Sequence, residues 1–108
     1  MVRRTAYLAA ILVTATAAQA LAADAESEFR GRRVAEANCA VCHAISLVGR
    51  SDNPEAPPFR LLTRTRSLAE LRADMAGNLF TRHPEMPDFE PTPQQLDDIT
   101  NFIGSISK

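Results

Sequence analysis

At 108 residues the chain holds one small domain, whose apolar core is modest for want of length. Hydrophobic residues make up 45% of it, charged residues 23%, and the formal net charge is −1. That balance argues against a nucleic-acid partner, which needs a basic face, and Lys108 as the sole lysine argues against a docking ring of lysines.

The chain opens M-V-R-R, with Arg3 and Arg4 ahead of an apolar run from Ala6 to Ala18. Ala18-Gln19-Ala20 or Ala20-Leu21-Ala22 then offers a small-residue cleavage site. The expectation is a secretory leader over residues 1–22, cleaved after Ala22, followed by a domain over residues 23–108. Thr14, Thr16 and Gln19 dilute the run below the ~20 clearly apolar residues of a membrane anchor, so no stable insertion is expected after cleavage. Losing Arg3 and Arg4 leaves ten basic against thirteen acidic side chains, a net charge of −3. Tyr7, the only tyrosine, leaves too.

The pattern predicts a first helix from about Glu26 to Cys39, interrupted by Gly31, which costs a helix roughly 1 kcal/mol against alanine. A close crossing with another helix would give that glycine a reason. Next comes Cys39-Ala40-Val41-Cys42-His43, which contains the only two cysteines present. C-x-x-C-H is the attachment signature for c-type haem. Two thiols one helical turn apart can reach the two vinyl groups of a porphyrin, and positions i, i+3 and i+4 share one helix face. His43 then sits under the iron.

The rival readings of this motif fare worse. Zinc wants four ligands, and the chain has no second cysteine pair and one other histidine, His83. A thioredoxin-like redox pair needs a βαβ context that the pattern lacks. An i, i+3 disulfide within a helix is geometrically awkward. Export supports haem, because this attachment takes place outside the bacterial cytoplasmic membrane. Three bonds to a large flat cofactor would also staple a chain this short, so the haem-free chain should fold poorly.

Ala44 to Arg66 follows as a loop containing Pro54, Pro57, Pro58 and Phe59, too long to be idle. It is expected to wrap the haem face. Ser67-Leu68-Ala69-Glu70 then reads as a capping box opening a second helix. Leu68, Leu71, Met75 and Leu79 form its stripe, with Gly77 or Asn78 loosening the end. Pro84, Pro87 and Pro91 forbid a continuous helix over Thr81 to Pro91. Thr92-Pro93-Gln94-Gln95 starts the third and clearest helix, with Leu96, Ile99, Ile103 and Ile106 on one face and Phe102 beside them. No strand is expected, so the fold class is all-α.

The sixth axial position decides the chemistry. Met75 belongs to the stripe of the second helix and reads as core. Met86 stands in the proline-rich loop directly before Pro87, which suits a positioned ligand. A thioether there would favour ferrous iron and raise the reduction potential. His83 reads as a solvated loop histidine and is the runner-up ligand.

In this order the elements resemble the class I monohaem cytochromes c in their short bacterial form, over Ala23 to Lys108. The matching pieces are Gly31 ahead of N-C-A-V-C-H, A-P-P-F at Ala56 to Phe59, M-P-D-F at Met86 to Phe89, and a last helix with Phe102. The resemblance implies a small haem-wrapped fold of about three main helices, with one covalent haem c on Cys39 and Cys42. It implies His43 as proximal ligand and Met86 as distal ligand. Pro57, with Pro58 as the adjacent alternative, would accept the hydrogen bond from His43 Nδ1–H. Phe59 would pack on the haem, and Gly31 and Phe102 would mark the crossing of first and last helices. The chain departs from the family in having no tryptophan, and no tyrosine after cleavage. Arg60, Arg64 or Arg66 could pair with a propionate.

The implied function is a monomeric periplasmic electron carrier with no catalytic residues, meeting donor and acceptor redox proteins transiently through a small interface. The alternatives are a subunit dedicated to one dehydrogenase or oxidase, and a gas-binding or peroxide-reactive haem protein with a labile sixth ligand.

Overall fold

Thr92 starts the helix on which the others pack. Its side chain accepts from Gln95 N–H at 3.2 Å, while the Gln95 side chain accepts from Thr92 N–H at 2.9 Å. Pro93 fills the first helical position, where no N–H is needed. The computed structural model describes residues 2–86 and 89–108, with side chains described from residue 16 onward; Pro87 and Asp88 lie outside the described residues. In chain order it contains α1 (Val2–Asn38), a 3-10 helix (Phe59–Arg64), α2 (Leu68–Ala76), α3 (Leu79–Arg82) and α4 (Pro93–Ile106). Among the described residues there is no strand, and the all-α expectation holds.

The expected apolar face of α4 is the core. Leu96, Ile99, Phe102 and Ile103 are buried, joined by Ala35 of α1 and Phe59. Each large apolar side chain buried this way contributes about 1.5–3 kcal/mol. Val34, Leu62, Leu68, Leu71 and Met75 pack around this nucleus.

α1 meets α4 through Ser27, Gly31 and Ala35, all buried and spaced four apart on one face. The contact at Gly31 is as close as backbones come. A Cβ there would lie 1.9 Å from the Asp98 carbonyl oxygen and 2.9 Å from Phe102 Cβ. The expected crossing is therefore present, and it explains the glycine. Beside it sits a polar clamp. Asp98, 4% exposed, accepts from Ser27 Oγ at 2.7 Å and from Arg30 Nε and Nη2 at 3.0 and 3.1 Å. Asn101 donates to the same Ser27 Oγ at 2.9 Å.

Four details differ from the sequence reading. α1 is one helix back to Val2, and residues 16–26 lie exposed along it. The segment Ala44–Arg66 is not loop throughout, since Phe59–Arg64 coils into a 3-10 helix. The expected second helix is split. It ends at Ala76, where Gly77 closes it by donating to Ala73 and Asp74 carbonyls, and Leu79 belongs to the separate turn α3. Ser67 does accept from Glu70 N–H at 3.1 Å, but the Glu70 carboxylate turns instead to Arg66 at 3.5 Å. After α4, the Lys108 amide donates to the Arg60 carbonyl at 3.0 Å, tying this end of the chain to the 3-10 helix.

Candidate functional site

Cys39 to His43 form the turn directly after α1, and backbone bonds continue the helical path. Cys39 N–H donates to Ala35 at 2.8 Å, and His43 N–H donates back to Cys39 at 2.9 Å. That i, i+4 bond keeps Cys39 and His43 on one side of the turn. The following loop folds back onto this corner. Asn53 N–H donates to the Cys42 carbonyl at 3.1 Å, Ala44 N–H to Ser51 Oγ at 2.9 Å, and Phe59 N–H to the Ala44 carbonyl at 2.9 Å. Those ties bring Pro57 against the histidine ring.

His43 Nδ1 lies 2.7 Å from the Pro57 carbonyl oxygen. A carbonyl can only accept, so Nδ1 carries the proton and Nε2 keeps its lone pair. That is the tautomer a metal requires. Of the two adjacent prolines, Pro57 makes the contact. Phe59, 5% exposed, braces the ring with centroids 5.2 Å apart at 53°.

The ring borders a cavity of about 480 Å³, within the range of small-molecule and cofactor pockets. Cys39, Cys42, His43, Pro57, Phe59 and Met86 all line it, so the structure brings these six residues around one space. α4 contributes Ile99 and Ile103, α2 contributes Leu71 and Met75, and α3 contributes Leu79 and Phe80. Phe80 and Phe89 meet edge to face at 6.0 Å beside it. Burial in these surroundings pushes the Cys39 thiol up to about 11. The cavity thus has largely apolar walls, the thiols of Cys39 and Cys42, the imidazoles of His43 and His83, and the thioethers of Met75 and Met86. That donor set fits a covalently held iron porphyrin.

A family model for cytochrome c matches residues 29–107. The chain belongs to the cytochrome c family. A cytochrome c-553-like protein of Synechocystis sp. is 33% identical over 87 residues, covering 81% of this chain and 73% of the relative. A cytochrome c-552 of Bradyrhizobium diazoefficiens is 29% identical over 96 residues, covering 89% and 88% respectively. No solved structure matches the chain. Membership makes the protein a class I monohaem cytochrome c, a haem electron-transfer protein with covalently bound c-type haem. Cys39 and Cys42 fit the C-x-x-C-H attachment motif.

Two expectations about the cytochrome c site change in detail. Of the three arginines considered for a propionate, Arg66 alone lines the cavity, and its guanidinium is engaged by Asp74 at 2.6 Å and Glu70 at 3.5 Å. Arg60 points elsewhere, to the Ser46 carbonyl at 3.5 Å. Arg82 lines the cavity as well, which the sequence reading missed. It closes α3, a turn recognisable only once Gly77 has ended α2. His83 is the second change. It lines the same cavity as Met86 rather than standing wholly in solvent, though its side chain is 45% exposed. Met75 packs against the core as expected and also reaches the cavity. The stiffening of Met86 by Pro87 lies outside the described residues.

Proposed function

We propose that the protein is a periplasmic one-electron carrier whose haem is bound through Cys39 and Cys42, with His43 and Met86 as axial ligands. The haem, when bound, supplies an iron that cycles between ferrous and ferric states. Residues 1–22 are the cleaved leader of this reading, and residues 23–108 the working domain, monomeric between encounters with its redox partners.

The observation that carries the reading is the 2.7 Å contact between His43 Nδ1 and the Pro57 carbonyl, at the wall of a cavity that also takes in Met86. The Pro57 carbonyl accepts from His43 Nδ1–H, which would leave the Nε2 lone pair to bind the iron. Met86 offers a soft thioether at the other pole, which favours the reduced state and raises the potential. The buried side chains of Ile99, Ile103 and Phe59 line the cavity and would keep water from an iron held there. Were both side chains to stay in place as the haem changed oxidation state, little of their surroundings would need to rearrange. No acid–base pair is needed, which fits a carrier rather than an enzyme.

Met86→Ala tests the assignment. Loss of the far-red sulfur-to-iron absorption band and a fall in potential are expected. A band that survives in this variant refutes Met86 as the ligand. N-terminal sequencing of the exported protein should begin at Ala23.

A further inference from the structure

We propose that His83 is a reserve axial ligand, taking the pole that Met86 leaves whenever the thioether is off the iron. This rests on the reading of Met86 as the distal ligand.

The two residues belong to one turn. α3 ends at His83, whose N–H donates to the Leu79 carbonyl at 3.1 Å, and whose own carbonyl accepts from Met86 N–H at 2.9 Å. His83 caps α3 with φ −121° and ψ 76°, outside the helical region that the following Pro84 disfavours, so the chain leaves the helix at this residue. Both side chains line the same cavity. Glu85 Oε1 lies 3.6 Å from His83 Nδ1, so Nδ1 faces the carboxylate and Nε2 lies on the other side of the ring. The ring is 45% exposed, so it can swing inward without opening the core.

The other donors are committed elsewhere. His43, the remaining histidine, is fixed by Pro57. Met75 lines the cavity as well, but from α2, where it packs against the core cluster. Arg82 reaches the cavity, but a guanidinium keeps its proton and cannot ligate. The sole lysine, Lys108, has its backbone tied to Arg60. His83 is thus the nitrogen donor placed to follow Met86. The exchange has a direction. A thioether suits the soft ferrous ion, whereas imidazole is the harder donor and suits the ferric one. Replacing one with the other lowers the potential and keeps the sixth position closed to small oxidants.

The test compares haem-loaded protein carrying Met86→Leu, which preserves side-chain volume, with the Met86→Leu/His83→Ala double variant. Ferric absorption and electron paramagnetic resonance spectra report the ligands. The proposal expects Met86→Leu to lose the far-red sulfur band yet remain low-spin. The double variant should turn high-spin and return to low-spin when free imidazole is added. Diethylpyrocarbonate, which acylates free imidazole nitrogen, should modify His83 in the parent and be slowed at least tenfold in Met86→Leu. A high-spin Met86→Leu protein whose His83 is modified at the parent's rate overturns the reserve role and leaves Met86 ligation intact. A far-red band that persists in Met86→Leu overturns both. Met86→Ala gives the same readings should Met86→Leu fail to accumulate.

Discussion

Replacing Gly31 with alanine sets two physical effects against each other. On helix propensity alone the change should stabilise α1 by about 1 kcal/mol. The crossing with α4 says the reverse. The new methyl would sit 1.9 Å from the Asp98 carbonyl oxygen, whereas a carbon–oxygen contact needs about 3.3 Å. The helices must therefore part by roughly 1.4 Å at that point, and a gap of 1 Å already forfeits a quarter to a half of each dispersion contact. The obstacle is backbone, so no side chain can rotate away. Overpacking of this kind costs about 3 kcal/mol, the upper end of its usual range, leaving about 2 kcal/mol of net destabilisation. For a domain of this size that is a fall of about 8–16 °C in Tm. Thermal and urea unfolding of the haem-loaded protein, followed by far-ultraviolet circular dichroism, measure it. A Gly31→Ala protein as stable as the parent refutes the close crossing.

The clamp at Asp98 should make the fold acid-sensitive. Hydrogen bonds from Arg30 first, and from Ser27, hold its carboxyl below the usual 3.8, so the unfolded chain takes up the proton more readily than the folded one. The stabilisation is complete above that ordinary value and is lost as pH falls through the folded one. Asp98→Asn should cost about 1–2 kcal/mol at neutral pH, because Arg30 is half exposed and its pairing is screened, and should flatten the acid limb of a stability–pH profile. An unchanged acid limb in the variant refutes the clamp. Removing the haem altogether, by Cys39→Ala/Cys42→Ala, should leave the apolar cavity unfilled. Reduced helical dichroism and a broadened thermal transition are expected, and a sharp transition at the parent's Tm refutes the haem as a staple.

Legibility from sequence followed the range of the interactions. The start of α4 is written locally in Thr92, Pro93 and Gln95, and its buried face repeats within a few turns, so both were readable. That Cys39, Cys42, His43, Pro57 and Met86 belong to one site was legible because C-x-x-C-H is a local pattern and the family resemblance points to A-P-P-F and M-P-D-F; all five line the same cavity. Other features depend on distant partners. Ser27 and Arg30 reach Asp98 across 71 and 68 positions, and nothing near Asp98 in the chain announces a buried carboxylate. Gly104 sits near the end of α4, where a Cβ would meet Leu68 Cδ1 at 2.9 Å, a closeness that only the packing of α2 on α4 reveals. The stripe Leu68, Leu71, Met75, Leu79 suggested one helix, and it breaks at Gly77 because the backbone closes there on the Ala73 and Asp74 carbonyls.

The amide bond from Lys108 to the Arg60 carbonyl has a practical consequence. Arg60 directly follows Phe59, the ring that braces His43. Whatever follows Lys108 in a tagged protein therefore emerges beside Phe59 and the His43 ring it packs against. Potentials and spectra of tagged and untagged protein need to be compared before either is assigned to the native molecule.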